Sequence, residues 1–200
     1  MTIKCMPMGV YQTNCYIVDI NGKQLIIDPG VDAVEWVIAN VKHPLAILNT
    51  HGHFDHVWSN KELKEKLNVP IYIPKSDAFM LQSDPFGHNI PKVDPDVYVE
   101  DNQKFNIDGV EFEFILFAGH TPGCSVIKID KCIFSGDFIF RGSIGRVDFP
   151  YSNPEEMKKS IKKVLSWDVN DKDFDIYPGH GSKTTLSNEF HSLKSWLNYI

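Results

Sequence analysis

The sequence predicts an α+β fold in which two β-sheets pack face to face and helices cover their outer faces. Three observations predict it. Short strand-like runs dominate the early part of each half of the chain, and helical patterns follow them. Hairpin dipeptides, Asn21-Gly22 and Asp108-Gly109, mark both halves. The helical segments carry an apolar stripe on one side, which must be buried against another layer.

In the first half, "NCYIVDI" and "KQLIIDPG" flank Asn21-Gly22, a dipeptide that tolerates the positive φ angles of a tight turn, and Asp28-Pro29-Gly30 closes the second strand. "VDAVEWVIANV" places Val34, Val37, Ile38 and Val41 on one helical face. "LAILNT" is a short buried strand. From Val57 to Leu67 the spacing turns helical, with Leu63 and Leu67 four residues apart, and "VPIYIP" is a strand bounded by prolines. Pro85, Gly87, Pro91 and Pro95 make 83–96 an irregular loop, of a length that often lines or covers a site.

The second half repeats the plan. "KFNI" and "VEFEFILFAG" flank Asp108-Gly109, and "CSVIKI" and "KCIFSGDFIF" flank Asp130-Lys131. A helix starts at "NPEEMKKSIKKVLSW", where Asn153 suits the N-cap, Pro154 the first helical position, and Glu155 and Glu156 the positive end of the dipole. "FDIYPGH" is a short strand. "SNEFHSLKSWLNYI" is a last helix with Phe190, Leu193 and Leu197 on one side.

Residues 1–200 read as a single domain, since no linker or low-complexity tract interrupts them and 42% of the residues are hydrophobic. The net charge of −6 argues against nucleic acid, whose binders need a basic surface. Lys158, Lys159, Lys162 and Lys163 fall at helical spacing and read as a solvated face. No apolar segment approaches the ~20 residues of a membrane span, and the N-terminus shows no secretory pattern. The expected partner is therefore a small molecule, with neither nucleic acid nor membrane. Cys5, Cys15, Cys124 and Cys132 form no C-x-x-C pair, so free thiols in a reducing cytoplasm are expected. Cys124 reads as a small buried hydrophobe, although it and Cys132 lie on two arms of one predicted hairpin. The pattern carries no signal for oligomeric state.

The chemistry concentrates in "THGHFDH", Thr50 to His56, just past a predicted strand. His43, His88 and His191 stand alone and read as ordinary packed or surface histidines. In an extended segment alternate residues share a side, so His51, His53 and Asp55 can converge while His56 serves a neighbouring point. Imidazole and carboxylate donors suit zinc, iron or manganese. Further donors sit at strand ends beside glycines: His120 in "FAGHTPG", Asp137 in "FSGDFIF" and His180 in "IYPGHG". The count fits two metals, one at His51, His53 and His120, the other at Asp55, His56 and His180, with Asp137 as a bridge. Asp55 and Asp137 are then the candidate catalytic carboxylates. A water between two cations loses its proton near neutral pH, and that hydroxide is the expected nucleophile.

"HGHFDH", "GHTPG", "GD" and "PGHG", in this order, resemble the metallo-β-lactamase-fold superfamily over nearly the whole chain. The resemblance implies an αββα sandwich of two mixed β-sheets with its site at one edge. It also implies that Asp28, in "IDPG", orients a ligand from behind; the other reading of Asp28 is a turn former. Within the superfamily the chain resembles the glyoxalase II (hydroxyacylglutathione hydrolase) group, above all its short bacterial members, and the related persulfide dioxygenases. By offset from Asp137, Arg146 falls where glyoxalase II has a lysine contacting glutathione, and Asp148 falls where it has a tyrosine. One helix follows His180, so the helical arm of full-length glyoxalase II is not expected. Arg141 and Arg146 are candidate anion clamps. Tyr11 and Tyr177 are both candidates to place a hydroxyl at the site.

The expected activity is that of a metal-dependent hydrolase cleaving a glutathione-type thioester such as S-lactoylglutathione. Two divalent ions are expected, zinc first, with iron or manganese as alternatives. The competing expectation is a mononuclear iron persulfide dioxygenase, whose group holds its iron through residues matching His51, His120 and Asp137.

Overall fold

The computed structural model describes residues 1–169 and 173–200. Strands β1 (Thr2–Met8), β2 (Thr13–Ile20) and β3 (Lys23–Ile27) form an antiparallel meander. Helix α1 (Ala33–Asn40) then crosses to β4 (Pro44–Leu48), which pairs parallel with β3. The short α2 (Phe54–Val57) and α3 (Asn60–Leu67) precede β5 (Ile71–Pro74), and α4 (Ala78–Ser83) precedes β6 (Val97–Val99). These six strands lie in sequence order in one mixed sheet.

The second sheet begins with the hairpins β7 (Gln103–Ile107), β8 (Val110–Leu116), β9 (Ser125–Ile129) and β10 (Cys132–Gly136). A two-stranded ribbon, β11 (Ile139–Phe140) and β12 (Ser143–Ile144), leads to α5 (Pro154–Leu165). After it come β13 (Asp175–Pro178), β14 (Thr184–Thr185) and α6 (Leu186–Trp196). β13 pairs parallel with β10, so this sheet is mixed as well, in the order β14-β13-β10-β9-β8-β7.

Alternation along the strands divides the core into three layers. Tyr16, Val18, Leu25, Ile27, Ala46 and Leu48 of the first sheet meet Phe112, Phe114, Ile127, Ile129 and Phe134 of the second. The opposite faces are covered by helices: Ile26, Ile47 and Ile71 by Ala33, Val37 and Leu63, and Val126, Ile133 and Ile176 by Met157, Ile161 and Leu193. The αββα sandwich is thus what period-two strands with both faces apolar require. Asn21 and Gly22 take φ of 55° and 85°, as their hairpin demands. Asn153 caps α5 as expected, its Oδ1 accepting from the backbone N–H groups of Glu155 and Glu156 at 3.0 and 3.2 Å.

Three expectations need correction. Ile38 is 40% exposed, because α1 buries Ala33 and Val37, and Ile38 lies ~100° further round the helix from Val37. The helical stretch from Val57 to Leu67 is interrupted at Trp58 and Ser59, which separate α2 from α3. "KCIFSGDFIF" is not one strand: Gly136, at φ 50°, ends β10 and turns the chain into β11. Cys124 is buried as a small hydrophobe against the α5–α6 layer, whereas Cys132 faces the layer between the sheets. The two stay apart, and all four cysteines are free thiols. Among the described residues no helix is long and apolar enough to cross a membrane.

Candidate metal centre

The ends of β3, β4, β8, β10 and β13 deliver Asp28, His51, His120, Asp137 and His180 to one edge of the sandwich. The segment after β4 is extended only as far as His53. At Phe54 it enters α2, so Asp55 and His56 are placed by a helical turn and not by strand alternation. Helix geometry swings His56 towards Asp137 while Asp55 faces His180.

Partners behind the rings assign their tautomers. The Thr50 hydroxyl donates to Asp28 Oδ2 at 2.6 Å and lies 3.0 Å from His51 Nδ1, which therefore donates to it. His56 Nδ1 donates to Asp28 Oδ2 at 3.0 Å, His120 Nδ1 to the Arg146 carbonyl at 2.8 Å, and His180 Nδ1 to the Tyr11 carbonyl at 3.1 Å. Four rings thus aim Nε2 inward. His53 presents Nδ1, 2.9 Å from His120 Nε2. Asp28, the residue the resemblance placed behind a ligand, does lie behind His56 and also accepts from the Thr50 backbone N–H at 2.8 Å.

The inward atoms form two triads whose members lie within 4.8 Å of one another: His51, His53 and His120, and Asp55, His56 and His180. Asp28, His51 and His56 form a third such group, but the Asp28 oxygens are already engaged by Thr50 and His56. Asp137 stands between the two triads, with Oδ1 3.3 Å from His56 Nε2 and Oδ2 3.4 and 3.6 Å from the Nε2 atoms of His120 and His180. His51 Nε2, His56 Nε2 and Asp137 Oδ1 are buried with no hydrogen-bond partner among the described residues. An orphaned buried polar atom costs roughly 1–3 kcal/mol, so three converging ones are a cluster built for something other than one another. Five imidazoles and two carboxylates fit divalent cations.

The charge states agree. Burial, reinforced by neighbouring His56, His53 and His120, pushes His51 well below its ordinary value, and burial with His120 takes His53 down to about 3. Burial pushes Asp137 up, but His56, His120 and His180 outweigh it and hold the carboxyl at about 2. Asp55 is likewise lowered against its burial by His56 and His180. Around His56 and His180 the carboxylates outweigh burial and raise both rings, so a cation entering here exchanges with protons.

The site opens into a cleft of about 440 Å³ lined by His53, Asp55, His120, Asp137 and His180 together with Tyr11, Phe54, Phe86, His88, Phe140, Arg146, Phe149 and Pro150. Arg146 reaches the cleft, but its guanidinium bonds Asp148 at 2.9 and 2.8 Å. Arg141 is exposed at the β11–β12 turn and does not line the cleft. Tyr11 lines it, whereas Tyr177 stacks on Phe134 between the sheets, 5.2 Å between centroids. His88, read as ordinary, stacks on Phe54 at 3.9 Å; the proline-rich loop that carries it was the available signal.

Asp77 was missed altogether. Fully buried at the start of α4, it accepts from the Gly52 N–H at 3.0 Å, the Thr121 hydroxyl at 2.6 Å and the Gly123 N–H at 2.6 Å. One carboxylate thereby ties the loop between His51 and His53 to the loop after His120. Thr13, equally unremarked, donates to Asp55 Oδ2 at 2.7 Å. An Asp before a helix and a Thr opening a strand carry no sequence signal of such contacts.

Residues 8–180 match the family described as the Metallo-beta-lactamase superfamily. A hydroxyacylglutathione hydrolase, GloC, of Haemophilus influenzae is 36% identical over 96% of each chain. Among solved structures, one described as the BLEG-1 B3 metallo-beta-lactamase superposes with a TM-score of 0.85 at 29% identity, covering 95% of this chain and 97% of its own. TTHA1623, described in a di-iron-bound form, superposes with a TM-score of 0.80 at 32% identity, covering 94% and 98%.

Proposed function

The chain belongs to the metallo-beta-lactamase superfamily, and from that premise we propose that it is a two-metal hydrolase of acyl thioesters of the glutathione type, such as S-lactoylglutathione. The observation that carries the reading is the place of Asp137, whose Oδ2 lies 3.4 Å from His120 of one triad and 3.6 Å from His180 of the other, while its Oδ1 lies 3.3 Å from His56. A carboxylate within reach of both triads suits a pair of ions sharing it. The likeness to GloC supports the substrate class.

His51, His53 and His120 would hold one ion, Asp55, His56 and His180 the other, with Asp137 shared. Divalent cations bound there supply the acidity that makes water a nucleophile near neutral pH and the charge that stabilises a developing oxyanion. Zinc suits the donors, and iron or manganese suits them too. Asp55 and Asp137, the two acids lining the cleft among the described residues, would orient the attacking water by accepting its hydrogen bonds. Aromatic side chains around the mouth keep bulk water from the acyl group. Hydrolysis places a hydroxyl on the carbonyl carbon and releases the thiol. The four free thiols are in keeping with work in a reducing cytoplasm.

The test is elemental analysis of protein purified without chelator, followed by assay of the zinc-, iron- and manganese-loaded forms on S-lactoylglutathione. About two ions per chain and thioester cleavage are expected. No turnover of any acyl thioester or ester overturns the reading. One iron per chain with persulfide-dependent oxygen uptake replaces it with the dioxygenase.

A further inference from the structure

We infer that the cleft selects its substrate through an aryl or similarly flat apolar group on the acyl side, over a small hydroxyacyl group; this rests on the thioester-hydrolase reading above. Tyr11, Phe54, Phe86, Phe140 and Phe149 line the cleft with His88. Tyr11 is 54% and Phe149 39% exposed. Single aromatic side chains on a surface are ordinary, but a contiguous set around a cavity marks a binding site.

The rings border the candidate ligand histidines, with Phe140 edge-on to His180 at 5.9 Å and two others against His53. Phe86 meets His53 edge-on with centroids 5.4 Å apart, and Phe149 does so at 5.9 Å. Phe54 and His88 stack at 3.9 Å, and Tyr11 meets Phe54 edge-on at 5.0 Å, extending the same wall. An acyl group whose carbonyl lies at the metal-ligating edge is therefore flanked by aromatic side chains. Offset or edge-on contact with such rings favours another ring over a methyl and a hydroxyl.

Charge is disposed the same way. Among the described residues, Arg146 is the one lysine or arginine lining the cleft. Its guanidinium is bonded twice by Asp148 and lies 4.2 Å from the Phe149 ring centroid. With its charge matched, the side chain serves as a wall and leaves the apolar contacts to discriminate.

The experiment compares kcat/KM of the metal-loaded protein for S-mandeloylglutathione and S-lactoylglutathione, which share a thiol carrier and differ in the acyl side chain. A parallel calorimetric titration compares the uncleavable thioethers S-benzylglutathione and S-methylglutathione. One methylene in a hydrophobic pocket is worth about 10–200-fold, so the aryl member of each pair is expected to be favoured by at least ~10-fold. Phe86→Ala should bring both ratios towards one. Where turnover is measurable the kcat/KM ratio decides, and a ratio at or below one overturns the inference while leaving the hydrolase reading intact. If neither thioester is cleaved, that reading fails, and equal affinities for the two thioethers then overturn the inference separately.

Discussion

Asp28 Oδ2 lies 3.0 Å from His56 Nδ1, the fixed point from which one half of the metal centre is aimed. The same carboxylate takes the Thr50 N–H at 2.8 Å and the Thr50 hydroxyl at 2.6 Å, and that hydroxyl in turn meets His51 Nδ1 at 3.0 Å. A single acid on the end of β3 thus sets the tautomer of a histidine in each triad. Partners of this kind commonly tune metal affinity or activity by about 10–100-fold. Asp28→Ala should therefore lower thioester hydrolysis by about 10–100-fold and bring the metal content below that of the unmodified protein. Elemental analysis after gel filtration checks it. Retained metal and activity would reduce Asp28 to a turn former.

Metal removal should destabilise the fold through the atoms it strands. With no ion, His51 Nε2, His56 Nε2 and Asp137 Oδ1 are buried without a hydrogen bond among the described residues. A ligand present at 100 times its Kd stabilises by ~2.7 kcal/mol. For a chain of this size each kcal/mol moves Tm by ~2–4 °C. Dialysis against a chelator should thus lower Tm by roughly 5–10 °C, and adding back zinc or iron should restore it. Calorimetry that shows identical transitions with and without metal would contradict this.

Much of the fold was legible because each device is local. Asn21-Gly22 and Asp108-Gly109 announced their hairpins, and Asn153-Pro154 announced the start of α5. The seven candidate ligand residues stood out because histidines and acids beside glycines at strand ends have few structural reasons to be there. What stayed hidden depends on tertiary contact. Asp55 and His56 were read as part of an extended run, and only the three-dimensional chain shows the α2 turn that separates them. Arg146 read as a candidate anion clamp, but its pairing with Asp148 depends on the loop conformation. Phe86 and His88 belong to a segment without periodicity, so nothing in their spacing predicted which way they face.

Asp77 offers a test by pH. Burial raises its carboxyl to about 6, against the lowering effects of the Thr121 hydroxyl and the Gly123 and Gly52 N–H groups. Its folded pKa is above the unfolded value, so its contribution to stability is fully present below pH ~4 and is lost as pH rises through about 6. The stability of chelator-treated wild type relative to Asp77→Asn should accordingly fall by about 3 kcal/mol between pH 4 and pH 7. Urea unfolding of both proteins across that range measures it. In the metal-replete state the same variant loosens the His51–His53 and His120 loops, so cobalt spectra should report altered coordination. Unchanged spectra would confine Asp77 to a structural role.

Gly136 links fold and site at one atom pair. It takes φ 50° at the end of β10, and a Cβ built there falls 2.3 Å from Thr50 Oγ1 and 2.7 Å from Thr50 Cβ. Thr50 cannot retreat without leaving Asp28 and His51. Gly136→Ala therefore combines left-handed strain of roughly 1–2 kcal/mol with overpacking of roughly 1–3 kcal/mol, for a loss of about 2–5 kcal/mol. Gly142, at φ 73° with no described residue within 4 Å of its built Cβ, isolates the first contribution. Denaturant unfolding should place Gly136→Ala below Gly142→Ala by the overpacking contribution. Metal content should fall in the first variant and hold in the second, because only the first displaces the hydroxyl that orients His51. Equal stability and equal metal content in the two would mean that Thr50 has room to move, and that the close fit of β10 against the first ligand loop does not set the centre.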